Sequence, residues 1–246
     1  MVTQARSAAK AIIILQGRVR STRLPGKGFF HFFDQTMWER MCDIALSCNF
    51  ADKVIFATGD INENFLVEDL VKNKGVEFFF GSEDDVFQRF ADVAKLFPSE
   101  YIVRITCDNY LVQPELLEDL FTLVDCQKAD YGYIEPLSHY CGEVIRSSLI
   151  TSAREVTDMS KEHVTWDIRR SSLVKKIKLP ADYKGVDHSR AVTLDDIDDF
   201  ILMKTLESSL ASLNNVRCLD SLRSINQHIT SFKQGFTPTL DVNYKL

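Results

Sequence analysis

The segment AIIILQGRVRSTRLPGKG (residues 11–28) joins an apolar run to a stretch rich in glycine and positive charge. The run AIIILQ contains β-branched residues without an amphipathic period, which is typical of a strand buried on both faces. The stretch after it carries the cations Arg18, Arg20, Arg23 and Lys27. In open parallel sheets, ligands bind in the loops that follow the carboxyl ends of the strands. The segment therefore predicts a central strand followed by an anion-binding loop.

Strand and helix patterns alternate outward from this segment. Three more buried strands are predicted, at KVIFAT, VEFFFG and YIVRITCD. Amphipathic helices are predicted at QTMWERMCDIALSC, NENFLVEDLVKNKG, SEDDVFQRFADVAKLF and PELLEDLFTLV. Ser82 is the expected N-cap of the third helix and Pro114 the expected first residue of the fourth. The rhythm predicts an α/β fold with a mostly parallel sheet and helices on both faces.

The rhythm weakens after residue 130. The stretches ADYGYIE, EVIRSSLI and VKKIKL are predicted strands, which we expect to be antiparallel additions to the parallel core. A short apolar strand is predicted before Asp195, and TLDDIDDFILMKTLESSLASL is predicted to close the fold as a helix with an acidic start. The chain has no repeat and no low-complexity linker, so we expect one domain over residues 1–246.

Composition restricts the classes of partner. The net charge of −6 and the pI near 5.4 argue against general nucleic-acid binding, which needs a basic face. No segment reaches membrane-spanning length, and no signal-type apolar run is present. The six cysteines form no CxxC pair and are typical of reduced thiols. We expect a cytoplasmic protein with neither nucleic-acid nor membrane partners.

The basic loop differs from the common phosphate loops. It lacks the Walker spacing and the GxGxxG spacing, so neither the P-loop nor the dinucleotide-binding interpretation applies. Asp108 ends one predicted strand and Asp195 follows another, and carboxylates opposite a basic loop suit a phosphate-bridging Mg²⁺. A solvated basic turn and two helix- or turn-capping carboxylates are the alternative interpretation of these residues.

Several motifs resemble those of a known family. IILQGRVRSTRLPGK resembles the IxxRxxSTRLPGK opening of the CTP-dependent sugar-acid cytidylyltransferases, including the 3-deoxy-manno-octulosonate and spore-coat-polysaccharide types. Later segments are similar to successive motifs of the spore-coat type, and they occur in the same order up to about residue 203. These segments are FFFGSEDDVFQRFADVAK, YIVRITCDNYLVQPELLEDL, KEHVTWDIR and RAVTLDDIDDFILM.

The resemblance implies a fold and a reaction. The expected fold is a GT-A-like (nucleotide-diphospho-sugar transferase) three-layer α/β/α sandwich with a mostly parallel mixed sheet. The expected reaction transfers CMP from CTP to an acidic sugar and releases pyrophosphate, with Mg²⁺ as cofactor, for surface polysaccharide or glycan synthesis. Residues 12–130 would form the nucleotide-binding half, 131–190 the acceptor and homodimer region, and 191–246 the closing strand and helices.

The resemblance also implies roles for individual residues. Arg18, Lys27 and Asp108 are the expected catalytic residues, and Asp108 and Asp195 the expected metal ligands. The expected nucleotide-binding residues are Gln16, Gly17, Arg18, Ser21, Arg23, Lys27, Gly81, Ser82 and Arg89. The expected acceptor-binding residues are Tyr133, Glu143, His163 and Thr165. For His163, a helix-start residue bonded to the backbone is the alternative.

The acceptor region departs from the family pattern. His139 stands where the family has glycine, and Cys141 occupies an altered position before Glu143. The acceptor could therefore be an acidic sugar or a small phosphomonoester or phosphonate. A non-catalytic nucleotide-binding protein and a glycosyltransferase that uses a preformed nucleotide sugar are the alternatives from other classes. Cys141 is expected to pack rather than to act as a nucleophile, since in-line transfer requires none.

Overall fold

A computed structural model of the chain describes residues 9–59, 62–153, 156–187, 192–210 and 223. The strands are β1 (Ala9–Gln16), β2 (His31–Phe32), β3 (Gln35–Thr36), β4 (Lys53–Gly59), β5 (Glu77–Gly81), β6 (Ser99–Thr106), β7 (Tyr131–Ile134), β8 (Glu143–Arg146) and β9 (Lys176–Leu179). The helices are α1 (Met37–Leu46), α2 (Phe65–Asn73), α3 (Val86–Leu96), α4 (Pro114–Cys126), α5 (Ser148–Thr151), α6 (Asp158–Glu162), α7 (Trp166–Arg170) and α8 (Ile197–Leu210). Most of the predicted closing region lies outside the described residues.

The main sheet has the strand order β5–β4–β1–β6–β8–β7–β9. Strand β8 pairs antiparallel with β6 and β7, whereas the other recorded pairs of the sheet are parallel. The predicted mostly parallel mixed sheet is confirmed. The expectation that all three late strands are antiparallel additions is wrong, because β7 and β9 run in the direction of the core strands. The helical residues α5 to α7 between β8 and β9 provide the crossover that a parallel β7–β9 pair requires.

The core lies on both faces of the sheet. Ile12 and Ile14 of β1 pack into a cluster with α3, α5 and α7, while Ile13 and Leu15 pack on the opposite face with α1, α2, α4 and α8. All four side chains are fully buried. Complete burial of such a side chain contributes about 1.5–3 kcal/mol. This double burial explains why the first strand reads as a continuous apolar run.

The first two helices show where periodicity predicts the buried face and where it does not. Helix α1 begins with a capping box between Thr36 and Glu39, and its predicted apolar face is buried. In α2, the apolar residues Phe65 and Leu66 are 61% and 51% exposed. The valines of α2, four residues apart, are buried in their place, since they share the helix face that packs on the sheet. Gly75 follows the helix with a φ of 81°, the left-handed conformation in which many helices end.

The start of α3 corrects a second prediction. Asp85, rather than Ser82, is the N-cap, because the Asp85 Oδ1 accepts a hydrogen bond from the Gln88 N–H at 2.8 Å. The Ser82 hydroxyl accepts instead from the Asp85 N–H at 2.9 Å. Ser82 therefore shapes the turn between β5 and α3. Pro114 is the first residue of α4, as predicted.

The segment before Asp195 is not a strand. Thr193 makes an isolated antiparallel bridge with Asn109, and the Leu194 N–H donates to the Asp108 carbonyl at 2.9 Å. These contacts dock residues 192–195 beside the end of β6 without a regular ladder. Helix α8 follows, with Asp198 and Asp199 in its first turn. Among the described helices, none is long and apolar enough to cross a membrane.

Candidate active site

The basic loop leaves the carboxyl end of β1 and closes on itself. The Gly26 N–H donates to the Val19 carbonyl at 2.9 Å, and Gly26 adopts a φ of 70°, a left-handed conformation that favours glycine. The buried Asn64 side chain accepts from the Val19 N–H at 2.9 Å and donates to the Gly59 carbonyl at 2.7 Å. Asn64 thereby ties the loop to the end of β4.

The loop also packs closely against an aromatic wall. A Cβ at Gly28 would lie 1.8 Å from the Trp38 ring, and one at Gly17 would lie 2.7 Å from the Phe56 ring. Glycine is therefore required at both positions for the loop backbone to reach these rings. Within the loop, the Ser21 hydroxyl accepts from the Leu24 N–H at 3.4 Å. The loop is held in shape by its own residues and by the core.

Lys27 connects the two carboxylates that the sequence singles out. Its Nζ lies 2.9 Å from the Asp108 Oδ2 and 2.8 Å from the Asp195 Oδ1. The Arg23 guanidinium lies 3.1 Å from the other carboxylate oxygen of Asp195. The side chains of Lys27, Asp108 and Asp195 are each mostly buried. The fold thus brings together residues from three distant segments of the chain.

The charges of this cluster stabilise one another. Burial alone lowers the pKa of Lys27, but the carboxylates of Asp108 and Asp195 outweigh it and raise that pKa above its ordinary value. Burial likewise raises the pKa of Asp108, but the Lys27 ammonium outweighs it and lowers that pKa. Both groups are therefore charged at neutral pH, and the cluster carries paired rather than excess charge.

His139 lies near the carboxylates of Asp108 and Asp195. Its Nδ1 accepts a hydrogen bond from the Val192 N–H at 3.2 Å, so this nitrogen is unprotonated. Burial lowers the pKa of His139, against the opposing effect of Asp108 and Asp195. The neutral imidazole helps to hold the segment that carries Asp195. Sequence comparison flagged His139 only as a departure from the family.

The paired carboxylates fit a divalent cation in part. Asp108 and Asp195 offer the hard oxygen ligands that Mg²⁺ prefers, and they converge on one point. Among the described residues, no group of three or more His, Cys, Asp or Glu side chains could hold a metal ion. The donor set therefore suits only an ion that takes most of its ligands from outside the described residues.

A second group of predicted residues lies at the end of β5. Arg89 is buried, and its NH1 donates to the Ser82 carbonyl at 2.8 Å, next to Gly81. Burial lowers the pKa of Arg89 to about 10. The guanidinium of Arg18 lies 3.5 Å from the Glu83 carboxylate, so the basic loop contacts the turn after β5. The predicted nucleotide-binding residues of the two segments are thus neighbours in space.

A polar network occupies the sheet face beneath the loop. The Arg104 Nε donates to the Gln16 Oε1 at 2.9 Å, and its NH1 pairs with the Glu143 carboxylate. Glu143 also accepts from the hydroxyl groups of Tyr131 and Thr165, the latter at 2.8 Å. Despite burial, which raises the pKa of Glu143, the nearby arginines lower it. The network connects the end of β1 with β6, β8 and the start of α7.

The remaining predicted acceptor residues border this network. Tyr133 stacks on Tyr131 with ring centroids 5.2 Å apart. Burial lowers the pKa of His163, and the positive charges of Arg104 and Arg169 lower it further. The carboxylate of Glu162 acts in the opposite direction, and burial leaves His163 neutral at neutral pH. Cys141 is buried, and burial raises the pKa of its thiol, as expected for a packing residue.

Sequence reasoning missed Asn64, Glu83 and Arg104. Arg104 had a detectable signal, because a charged residue inside the apolar strand YIVRIT must find a partner when it is buried. Asn64 and Glu83 had none, since a polar residue at a helix start or in an acidic turn is common.

The comparison with known families decides the identity. Residues 12–215 match the model of a family described as cytidylyltransferase. The chain belongs to the cytidylyltransferase family. This cytidylyltransferase is 29% identical over 230 residues to the spore coat polysaccharide biosynthesis protein SpsF of Bacillus subtilis (strain 168), covering 88% of this chain and 94% of that protein.

Solved structures share the fold. A cytidylyltransferase from Leptospira borgpetersenii superposes with a TM-score of 0.79 at 24% identity, covering 93% of this chain and 98% of that one. The CMP:2-keto-3-deoxy-manno-octonic acid synthetase complexed with CTP superposes with a TM-score of 0.61 at 14% sequence identity, covering 82% of this chain and 99% of that chain. A Mycobacterium tuberculosis protein in complex with manganese superposes with a TM-score of 0.57 at 16% sequence identity, covering 80% of this chain and 98% of that chain. These similarities confirm the GT-A-like fold expected for the cytidylyltransferase.

Proposed function

We propose that this cytidylyltransferase transfers CMP from CTP to an acidic sugar of the octulosonate or nonulosonate kind and releases pyrophosphate. One observation carries the proposal: a single lysine of the basic loop contacts two carboxylates from distant segments. Cationic loop residues beside paired carboxylates suit a triphosphate with its divalent cation. The similarity to SpsF and to the octulosonate-activating synthetase supports an acidic sugar and surface polysaccharide synthesis.

The proposed roles on the nucleotide follow from charge and position. Arg18 is half exposed at the outer part of the loop and would take the triphosphate by forked hydrogen bonds, with Arg23 beside it. Lys27 would turn its ammonium from the carboxylates to the phosphates when CTP arrives. Arg89 fixes the Ser82 carbonyl, and this turn, with Gly81, would present backbone groups to the cytosine edge.

The reaction needs positioning and charge neutralisation rather than covalent help. Asp108 and Asp195 would hold Mg²⁺, and when bound the ion would supply positive charge against the triphosphate and the leaving pyrophosphate. An acceptor oxygen would attack the α-phosphorus in line while the loop cations hold the β- and γ-phosphates. The manganese-bound relative supports a divalent cation in this fold.

The proposal extends to location and assembly. A CTP-consuming enzyme is expected in the cytoplasm, where nucleoside triphosphates are made. We also propose a homodimer through the region of residues 131–190, where Leu173 is 93% exposed and β9 ends the recorded strand order. Size-exclusion chromatography with light scattering tests the dimer, and a monomeric mass would exclude it.

The test of the proposed function is a pyrophosphate-release assay with CTP, Mg²⁺ and a panel of acceptors. The panel contains octulosonic and nonulosonic acids and small phosphomonoesters and phosphonates. The proposal predicts release with a sugar acid only. Release with a phosphomonoester or phosphonate alone would transfer the proposal to that acceptor class, and CTP binding without any release would favour a binding protein.

A further inference from the structure

The Glu143 carboxylate is engaged mainly by the protein itself. Its Oε1 accepts from Tyr131 and Thr165, and its Oε2 accepts from Arg104. The residue is 5% exposed. Three of the about four acceptor sites of this buried carboxylate are therefore filled by protein donors. Glu143 is therefore oriented toward the protein rather than toward a ligand.

Arg104 differs from Glu143 in this respect. A guanidinium has five N–H donors, and contacts among the described residues engage the Nε and the NH1 of Arg104. No partner for its NH2 is recorded among the described residues, and 15% of the side-chain surface is exposed. Gln16 and Glu143 fix the plane of the guanidinium from two sides. The group is thus preorganised, with donors left over.

The place of Arg104 in the sheet favours a role in the site. Its register partner in β1 is Ile14, and its Nε reaches Gln16 at the carboxyl end of that strand, where the basic loop starts. Arg104 and Asp108 belong to the same chain segment, at and just beyond the end of β6. The guanidinium therefore lies near the edge of the sheet where the nucleotide is proposed to react.

The remaining donors of Arg104 suit a carboxylate. With its Nε bonded to Gln16 and one N–H of NH1 bonded to Glu143, the guanidinium keeps the two N–H donors of NH2 and the second N–H of NH1. Charge-assisted hydrogen bonds from a guanidinium to a carboxylate are among the strong ones. Arg104 and Arg169 both lower the pKa of Glu143 and of His163, while Glu162 raises that of His163.

We propose that Arg104 recognises the carboxylate of the acidic-sugar acceptor and that Glu143, with Thr165 and Tyr131, is a positioning residue that holds the guanidinium. The inference rests on the proposed function, because it assigns the acceptor half of the same site. The family resemblance implied that Glu143 and Thr165 bind the acceptor directly. This proposal instead assigns direct binding to Arg104 of strand β6.

The experiment measures binding rather than turnover. Calorimetry compares a panel of octulosonic and nonulosonic acids with their methyl esters, and separately measures CTP binding with Mg²⁺. We expect the wild-type protein to bind at least one acid about tenfold or more tightly than its ester, since a charge-assisted pair is lost in the ester. The preference should disappear in Arg104→Gln and weaken in Glu143→Gln, while CTP affinity changes less than about threefold.

Two further variants keep the test decisive. Arg104→Gln leaves the buried Glu143 with a weaker partner, so Arg104→Lys and the charge-balanced pair Arg104→Gln with Glu143→Gln are measured alongside it. Thermal unfolding establishes that each variant is folded. Arg146→Gln is the matched control, because Arg146 lies on neighbouring β8 and pairs with Asp130 and Glu100. It should keep the full preference for the acid.

The outcomes separate the inference from the proposed function. Equal binding of every acid and its ester by the wild-type protein, or an acid preference that survives in folded Arg104 variants, would overturn the inference even if CTP binds normally. Tighter Arg104-dependent binding of a phosphomonoester than of any acid would overturn the carboxylate assignment. Absence of CTP binding in the wild-type protein would instead contradict the proposed function.

Discussion

The ammonium of Lys27 lies 2.9 Å from the carboxylate of Asp108, although 81 positions separate the two residues in the chain. The contact joins the loop after β1 to the end of β6, and the parallel pairing of these strands brings the two together. The same ammonium contacts Asp195. This relationship is the centre of the proposed CTP site.

Replacing Lys27 with alanine should reduce turnover far more than folding stability. Loss of a cation that offsets developing phosphate charge is expected to cost about 10²–10³ in kcat, as for other preorganised electrostatic groups. The free energy of unfolding should fall by about 1–2 kcal/mol, since the mostly buried side chains of the ion pairs keep 16–28% of their surface exposed to water. Steady-state kinetics and urea unfolding measure the two effects. Asp108→Ala should behave in the same way.

Lys74→Ala is the matched control for Lys27→Ala. Lys74 makes a partly buried ion pair with Asp43 at 3.0 Å, away from the predicted nucleotide-binding residues. It should lose comparable stability and keep wild-type turnover. Parallel losses of stability and of turnover in the Lys27 and Asp108 variants would count against a catalytic role.

The stability contributed by the Lys27–Asp108 pair should depend on pH at both ends of the scale. The pKa of Asp108 is below its ordinary value of 3.8, so its contribution is complete above pH 3.8 and is lost as the pH falls through the folded-state value. The pKa of Lys27 is above 10.5, so its contribution is complete below pH 10.5 and is lost as the pH rises further.

Urea unfolding of wild type and Lys27→Met across pH checks this dependence. The difference in unfolding free energy should be largest between pH 3.8 and pH 10.5 and should shrink outside that window. A difference that is constant from pH 2 to pH 7 would exclude the pair as its source.

Gly59→Ala should weaken CTP binding through Glu83. A Cβ at Gly59 would lie 1.4 Å from the Glu83 Oε2 and 2.8 Å from the Glu83 Cα, so the turn that contacts Arg18 must shift. We expect a loss of about 1–3 kcal/mol in stability from overpacking and a measurable rise in the Kd for CTP. Gly75→Ala, where a Cβ meets no atom, should strain only its own backbone and leave the Kd unchanged.

Cys141→Ala should leave turnover within about twofold of wild type, because in-line transfer uses no protein nucleophile. Burial raises the pKa of this thiol, which disfavours the reactive thiolate. Alkylation of the exposed Cys126 should be equally harmless. A covalent CMP adduct at Cys141 detected by mass spectrometry would refute this expectation.

Much of the fold could be predicted because local patterns carry it. The continuous apolar run of β1 predicts burial on both faces, and Pro114 predicts the first residue of α4. Both predictions need only the local sequence. The buried face of α2 and the N-cap residue of α3 could not be predicted from the local pattern. Phe65 and Leu66 are exposed because the sheet selects the valine face of α2, and that choice depends on packing rather than on hydrophobicity.

The charged residues of the site were predictable where motif and strand position agree, as for Lys27 and Asp108. Their mutual contact was not, since it depends on strand order. Arg104 could have been inferred as a buried charge in need of a partner, but its bonds to Gln16 and Glu143 require the register of β1, β6 and β8. The role of Asn64 depends on its hydrogen bonds to Val19 and Gly59, which form only when the loop is folded against the end of β4.

The decisive measurement is pyrophosphate release from CTP and a sugar acid in the presence of Mg²⁺, made for wild type and for Asp108→Asn. We expect one pyrophosphate per CMP–sugar formed by the wild-type protein, and a loss of about 10²-fold or more in Asp108→Asn with the fold intact. Equal release by the two proteins, or no release by wild type with any acidic sugar, would exclude the proposed reaction at this site.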